Sequence, residues 1–186
     1  MPSREELMIG EVREPRLIQR VKEDPHTGQV LREWSEWVLP DGRIERHGIE
    51  RQYHPDGAPH WVRHFDHGKP VGHWRGWYPD GSRLAESFHG TDETKPMVFW
   101  HPNGVESARG MAIDGRRVGV WKHWYSDGSL REEGSYRGGR RVGVWTYYHD
   151  DGSLEARGTL EDGMRVGEWE LYEPGVRFVE RNGRDD

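Results

Sequence analysis

Eleven histidines and 33 acidic side chains are the groups of this chain best suited to acid–base or metal chemistry. His60, His64, His67 and His73 lie close together in sequence. His60 and His64 can share one face of a strand, with His67 and His73 around the loop that follows. A zinc site needs close, oriented nitrogen ligands held by further hydrogen bonds, and this spacing matches no such arrangement. His54 and His101, at turns, read as polar fillers. Cysteine is absent, which excludes disulfides, thiolate-bound zinc and iron–sulfur clusters. No P-loop, nucleophile elbow or H-E-x-x-H is present. The expectation is no catalytic residue, no metal and no cofactor. A metal-dependent enzyme built on the histidines is the least favoured reading, and it would require metal that co-purifies.

Two other sets of side chains suit recognition. Lys69, Arg116, Arg117, Arg140, Arg141 and Arg165 recur in G-x-x-V-G segments, with Arg137 nearby. Asp56, Asp80, Asp127, Asp150 and Asp151 recur in Asp-Gly turns. Loops at opposite ends of the strands place the cations along one long edge and the carboxylates along the other. Aromatic residues form two rows on alternate faces: Trp74, Trp121, Trp145 and Trp169 on one, Trp77, Trp124, Tyr148 and Tyr172 on the other. The first row is joined two residues on by Gly76, His123, Tyr147 and Leu171. Trp, Tyr and Arg are enriched where binding energy concentrates. Arg116, Arg117, Arg140, Arg141, Arg165, Trp77, Trp124, Tyr148 and Tyr172 are therefore the expected partner-binding residues.

The elements that position these side chains follow from a repeat. G-x-x-V-G-x-W begins at Gly68, Gly115, Gly139 and Gly163. Asp-Gly or Asn-Gly places a second marker at Gly57, Gly81, Gly104, Gly128 and Gly152. Both markers keep a period of about 24 residues, the signature of stacked structural units. Residues 90–98 lack the first marker but keep the phase, which reads as a degenerate unit. Asp-Gly between alternating aromatics is a hairpin signal, and the intervening lengths suit strands while showing no helical period. The fold class expected is all-β: an elongated, twisted, single-layer antiparallel β-hairpin repeat array. Residues 1–46 read as an N-terminal cap of short hairpins, with Leu17–Val21 as its capping strand. Residues 47–175 form the array and 176–186 a C-terminal tail.

The units G-V-W-K-H-W-Y-S-D-G-S-L-R-E-E-G-S-Y and G-V-W-T-Y-Y-H-D-D-G-S-L-E-A-R-G resemble MORN-variant repeats (membrane occupation and recognition nexus). The resemblance covers roughly residues 47–175, is strongest over 110–172 and does not reach the first 30. It is closer to the bacterial form, common in proteins named as antitoxins of toxin–antitoxin systems, than to the eukaryotic Y-E-G-E-W form. It implies a hairpin scaffold for protein or lipid contacts and supplies no catalytic residues.

Composition bounds the partner. A third of the chain is charged and 32% is hydrophobic, with mean hydropathy -1.04, so 21 aromatic residues (10 Trp, 7 Tyr, 4 Phe) must supply the core. Net charge -6 disfavours indiscriminate nucleic-acid binding, and no specific nucleic acid is expected. No stretch reaches the ~20 apolar residues of a membrane helix or has the form of a signal peptide, which makes the cytoplasm the expected compartment. The leading expectation is a non-catalytic module that docks another protein, such as a toxin or effector, as antitoxin, immunity or accessory subunit. Peripheral binding to anionic lipid is the alternative, and homodimerisation through exposed edge strands stays open.

Overall fold

The computed structural model describes residues 14–90 and 93–174. Thirteen strands form one sheet: β1 (Arg16–Glu23), β2 (Val30–Val38), β3 (Ile44–Tyr53), β4 (Pro59–Asp66), β5 (Lys69–Trp77), β6 (Arg83–His89), β7 (Lys95–Trp100), β8 (Glu106–Ile113), β9 (Arg116–Trp124), β10 (Leu130–Arg137), β11 (Arg140–Tyr148), β12 (Leu154–Glu161) and β13 (Met164–Leu171). Every strand pairs antiparallel with its sequence neighbours, in the order β1 to β13, and the ends do not meet. The expected hairpin array is therefore the fold. Leu17–Val21 lies within β1, whereas the tail expected at 176–186 falls outside the described residues. Among the described residues no helix is long and apolar enough to cross a membrane. At ~4.8 Å per strand the sheet extends about 58 Å across its strands.

The two sets of turns differ in chemistry. At the Asp-Gly edge Gly57 N donates to His54 O and His54 N to Ala58 O, at 2.9 and 2.8 Å. Asp56 accepts from Ala58 N at 3.0 Å, and Asp80, Asp127 and Asp151 repeat that bond to Ser82, Ser129 and Ser153. These carboxylates hold turns together. At the opposite edge Asp114-Gly115 and Asp162-Gly163 occupy the left-handed region at both central positions (φ 48 and 75, 49 and 87). Both belong to two-residue hairpins whose twist matches the strands.

The V-G glycine makes a bulge. Gly143, Val144 and Trp145 together oppose the single Gly134, because Thr146 pairs with Glu133 and Val142 with Ser135. Gly119–Trp121 stand opposite Gly110 in the same way. The extra residues bring Arg141 and Trp145 side by side on one face. That face is the core: Trp121 and Trp145 are fully buried (0%), although the described residues form no second layer over the sheet. Each indole lies flat on a glycine of the preceding strand, so closely that a Cβ on Gly110 or Gly134 would stand 2.3 Å from the ring. Trp169 covers Gly158 likewise. Met97 takes the indole's place in the degenerate unit, pairing with Gly110 as Trp121 pairs with Gly134.

Toward the N-terminus the same position changes chemistry. Glu50, 24 residues before Trp74, occupies the tryptophan position and is 1% exposed. Arg32 Nη2 and Arg63 Nη1 lie 2.9 and 3.7 Å from its carboxylate, Arg46 also pairs with it, and Gln52 donates at 3.2 Å. A carboxylate can be buried here because three cations and an amide surround it.

Candidate functional site: the arginine edge and the outer aromatic row

The structure divides the predicted arginine stripe. Arg116 and Arg140 are exposed at the hairpin edge, where Arg140 faces Asp162 at 3.4 Å. Among the described residues Lys69, Arg116 and Arg137 make no ion pair. The second arginine of each R-R-V-G loop turns inward instead. The Arg117 guanidinium sits 4.3 Å over Trp121, Arg141 4.2 Å over Trp145 and Arg165 4.2 Å over Trp169. Placing Arg117 and Arg141 on a free edge is thus corrected: the bulge aims them along the sheet, where each gains an aromatic face and hydroxyl or carboxylate partners. Arg165, though exposed, keeps the same stacking.

Arg141 forms a fork on Glu132, with Nη1 and Nη2 at 3.0 and 2.8 Å, and donates to the Tyr147 and Tyr136 hydroxyls. Burial alone would lower the Arg141 pKa, but the Tyr136 hydrogen bond and the Glu132 charge raise it overall. Arg117 donates to Tyr136 Oη at 3.1 Å and approaches His123 Nε2 at 3.3 Å. Guanidinium only donates, so Nε2 accepts and the neutral ring carries its proton on Nδ1. That nitrogen lies 3.4 Å from Glu132 without hydrogen-bond geometry. Burial pushes His123 down to about 4; Glu132 opposes the shift, while Arg117, Arg131 and Arg141 reinforce it. The inner face is thus occupied by its own partners.

The outer row lies one residue beyond this face. Trp77, Trp124, Tyr148 and Tyr172 are all half-buried, joined by Tyr53 and Trp100 in the same phase. Tyr53 and Tyr148 donate to Glu33 and Glu133 on the outer face at 3.0 and 3.1 Å. Burial and these carboxylates raise both phenol pKa values. Between Tyr53, Trp61 and Trp77 lies a recess of about 510 Å³, and Trp77, Arg83 and Trp100 border another of about 350 Å³.

Behind each row residue runs a ladder that the sequence reading missed. His54 Nε2 meets Trp77 O, Tyr78 Oη meets Trp100 O, His101 Nε2 meets Trp124 O, Tyr125 Oη meets Tyr148 O and His149 Nε2 meets Tyr172 O, at 2.8–3.3 Å. A carbonyl only accepts, so each histidine carries its proton on Nε2. His54 and His101 are therefore inter-unit struts rather than fillers. The recurrence of His or Tyr just before each Pro/Ser/Asp-Asp/Asn-Gly was the available signal. R-V-G-x-W at 117–121, 141–145 and 165–169 likewise signalled the stacked arginines.

The four histidines singled out in sequence do not converge. His60 tilts against His54 with ring centroids 4.3 Å apart, and burial, then the His54 charge, lowers its pKa. His73 pairs with Glu86 at 3.3 Å. His67 turns toward Glu45 and His47.

An open single sheet of hairpin units, each held to the next by a side-chain strut, defines a β-repeat protein of the solenoid-like class. Residues 117–137 and 141–162 match the family described as "MORN repeat variant", so this part of the chain carries MORN-variant repeats. No curated protein sequence matches it. Two solved structures with partial likeness are crystal structures of TarM. One has 14% identity and TM-score 0.34, covering 53% of this chain and 19% of that one. The other is a mutant of S. aureus TarM in complex with fondaparinux, alpha-GlcNAc-glycerol and UDP, with 13% identity and TM-score 0.32, covering 61% and 20%. The chain thus spans about a fifth of the length of either.

Proposed function

We propose that this repeat module docks another protein along its outer face and catalyses no reaction. The observation that carries the reading is the outer row: Tyr53, Trp77, Trp100, Trp124, Tyr148 and Tyr172 present one half-exposed aromatic per unit. Adjacent units place equivalent residues about 10 Å apart. Aromatics of this kind, fixed by backbone pairing, lose little freedom on binding. The recesses beside Trp77 suit inserted side chains of a partner. Polar groups do converge on the inner face, but Arg141, Glu132, Tyr136 and Tyr147 are engaged with one another there. Stacking of Arg117, Arg141 and Arg165 on indoles thins the cationic edge to Lys69, Arg116, Arg137 and Arg140, which weakens the case for an anionic bilayer. The bacterial form of the repeat supports a role as antitoxin, immunity or accessory subunit.

The test is affinity capture from native lysate with wild type, with Trp77→Ala/Trp124→Ala and with Arg116→Glu/Arg140→Glu. One protein recovered at stoichiometric amount with wild type, lost with the tryptophan variant and weakened by the arginine variant, is expected. Capture unaffected by the tryptophan variant removes the outer row from the interface. Flotation of wild type with anionic vesicles, and no captured protein, replaces this reading with the lipid one.

A further inference from the structure

At the hairpin edge between β3 and the β4–β5 turn, four side chains meet, of which Glu45, His47 and His67 depart from the repeat. Glu45 stands where the other units have Lys69, Arg116, Arg140 and Met164. His47 replaces the valine of V-G (Val71, Val118, Val142 and Val166). Asp66 corresponds to Ile113, Arg137 and Glu161, and His67 to Asp114, Gly138 and Asp162. His67 adopts φ 43, so an imidazole stands at a left-handed turn position that the repeat elsewhere gives to Asp or Gly. Charge, ring and turn residue all change at one place, and the sheet brings the four together. One ligand atom each from His47, Asp66 and His67 falls within 4.8 Å of the other two. His47 Nδ1 lies 3.4 Å from Asp66 Oδ1, and His67 Nδ1 3.2 Å from Glu45 Oε2. The Trp37 indole stacks parallel to the His67 ring at 6.4 Å and tilts against His47 at 5.7 Å, walling one side.

We infer that Glu45, His47, Asp66 and His67 form a binding site for one zinc-class divalent cation. Two imidazoles and two carboxylates are a zinc donor set, with bonds of about 2.0–2.2 Å. Asp66 and His67 are exposed, so side-chain rotation alone can contract the cluster to those lengths. Among the described residues Arg43 is the one Lys or Arg paired with these carboxylates, 3.8 Å from Glu45, and Lys69, across the strand pair from Asp66, makes no ion pair with it. The bound ion would tie β3 to the β4–β5 turn at the point where the repeat loses its tryptophan and takes up Glu50. This is independent of the outer-row docking reading.

The experiment is calorimetric titration of the untagged full chain with zinc chloride, against His47→Val and His67→Gly. Both substitutions restore residues that the other units carry, so the fold is retained, which circular dichroism verifies. Wild type is expected to bind one zinc per chain and to gain thermal stability with it, each variant losing at least tenfold in affinity. Cobalt(II) in the same site should give the intense visible bands of a four-coordinate ion. His73→Ala, at a histidine away from the cluster, should bind as wild type does. Wild-type affinity no greater than that of His47→Val and His67→Gly, or binding lost in His73→Ala instead, overturns the site. Protons compete for imidazole ligand atoms, so the wild-type affinity should also fall on acidification.

Discussion

Arg140 and Arg141 are neighbours of the same type with opposite fates. Arg141→Ala takes the two-pronged partner from the buried Glu132 carboxylate, leaving it Arg131 at 3.4 Å, uncovers Trp145, and should lower stability by about 2 kcal/mol in urea denaturation. Arg140→Ala removes an exposed pair and should stay within about 0.5 kcal/mol of wild type. Equal effects would return Arg141 to the free edge where the sequence placed it. Gly134→Ala sets a methyl against the Trp145 ring in a site already filled, and should be destabilising by about 1–3 kcal/mol. His123 contributes a pH dependence of known sign. It is held at about 4 in the fold against an ordinary 6.5. Between those values the unfolded chain takes up a proton that the folded chain refuses, so stability falls as pH drops through that window. The slope is at most about 1.4 kcal/mol per pH unit, and above the window it vanishes. His123→Gln should flatten that part of the profile, and an unchanged acid limb would show that the ring is not buried neutral.

At the scale of the element, the unit is a hairpin with three ties to its neighbour: strand pairing, an indole on a glycine and a His or Tyr strut. The hairpin loops add a backbone tie, since Gly139 N and Gly163 N donate to Arg117 O and Arg141 O, each at 2.9 Å. Tyr125→Phe deletes one strut without altering shape and should lower stability by about 1 kcal/mol. The loss should appear as faster amide exchange at the β9–β10 and β11–β12 turns, and uniform exchange changes along the sheet would deny the strut a local role. Much at this scale was legible in the sequence. Alternation and Asp-Gly placed strands and turns, and the two aromatic rows fall on the two faces as read. The bulge was not legible. V-G carries no sign that three residues will oppose one, and that geometry decides which arginine of each pair turns inward.

For the whole molecule, substantial contacts link strands adjacent in order, with a slight one between β6 and β8, so stability is a chain of neighbour terms. Removing residues 138–161, one period of 24, joins Arg137 to Asp162-Gly163. β10 then pairs with β13 through a native two-residue turn, and Trp169 meets Gly134. This shortened chain should keep its β circular dichroism and unfold cooperatively, at lower stability. Removing only residues 138–149 breaks the unit and should abolish that behaviour; tolerance of both deletions alike would contradict a register set by the repeat. The sequence by itself determined the strand pattern, the period, the open antiparallel order and the family, because these depend on local alternation and turn chemistry. Only the tertiary structure decided that Glu50 replaces an indole amid three arginines, that Arg117 and Arg141 lie inward, and that His47 and His67 meet. Each of those depends on which side chains stand across a bulge or on the next strand, and pairing fixes that at separations no local pattern records.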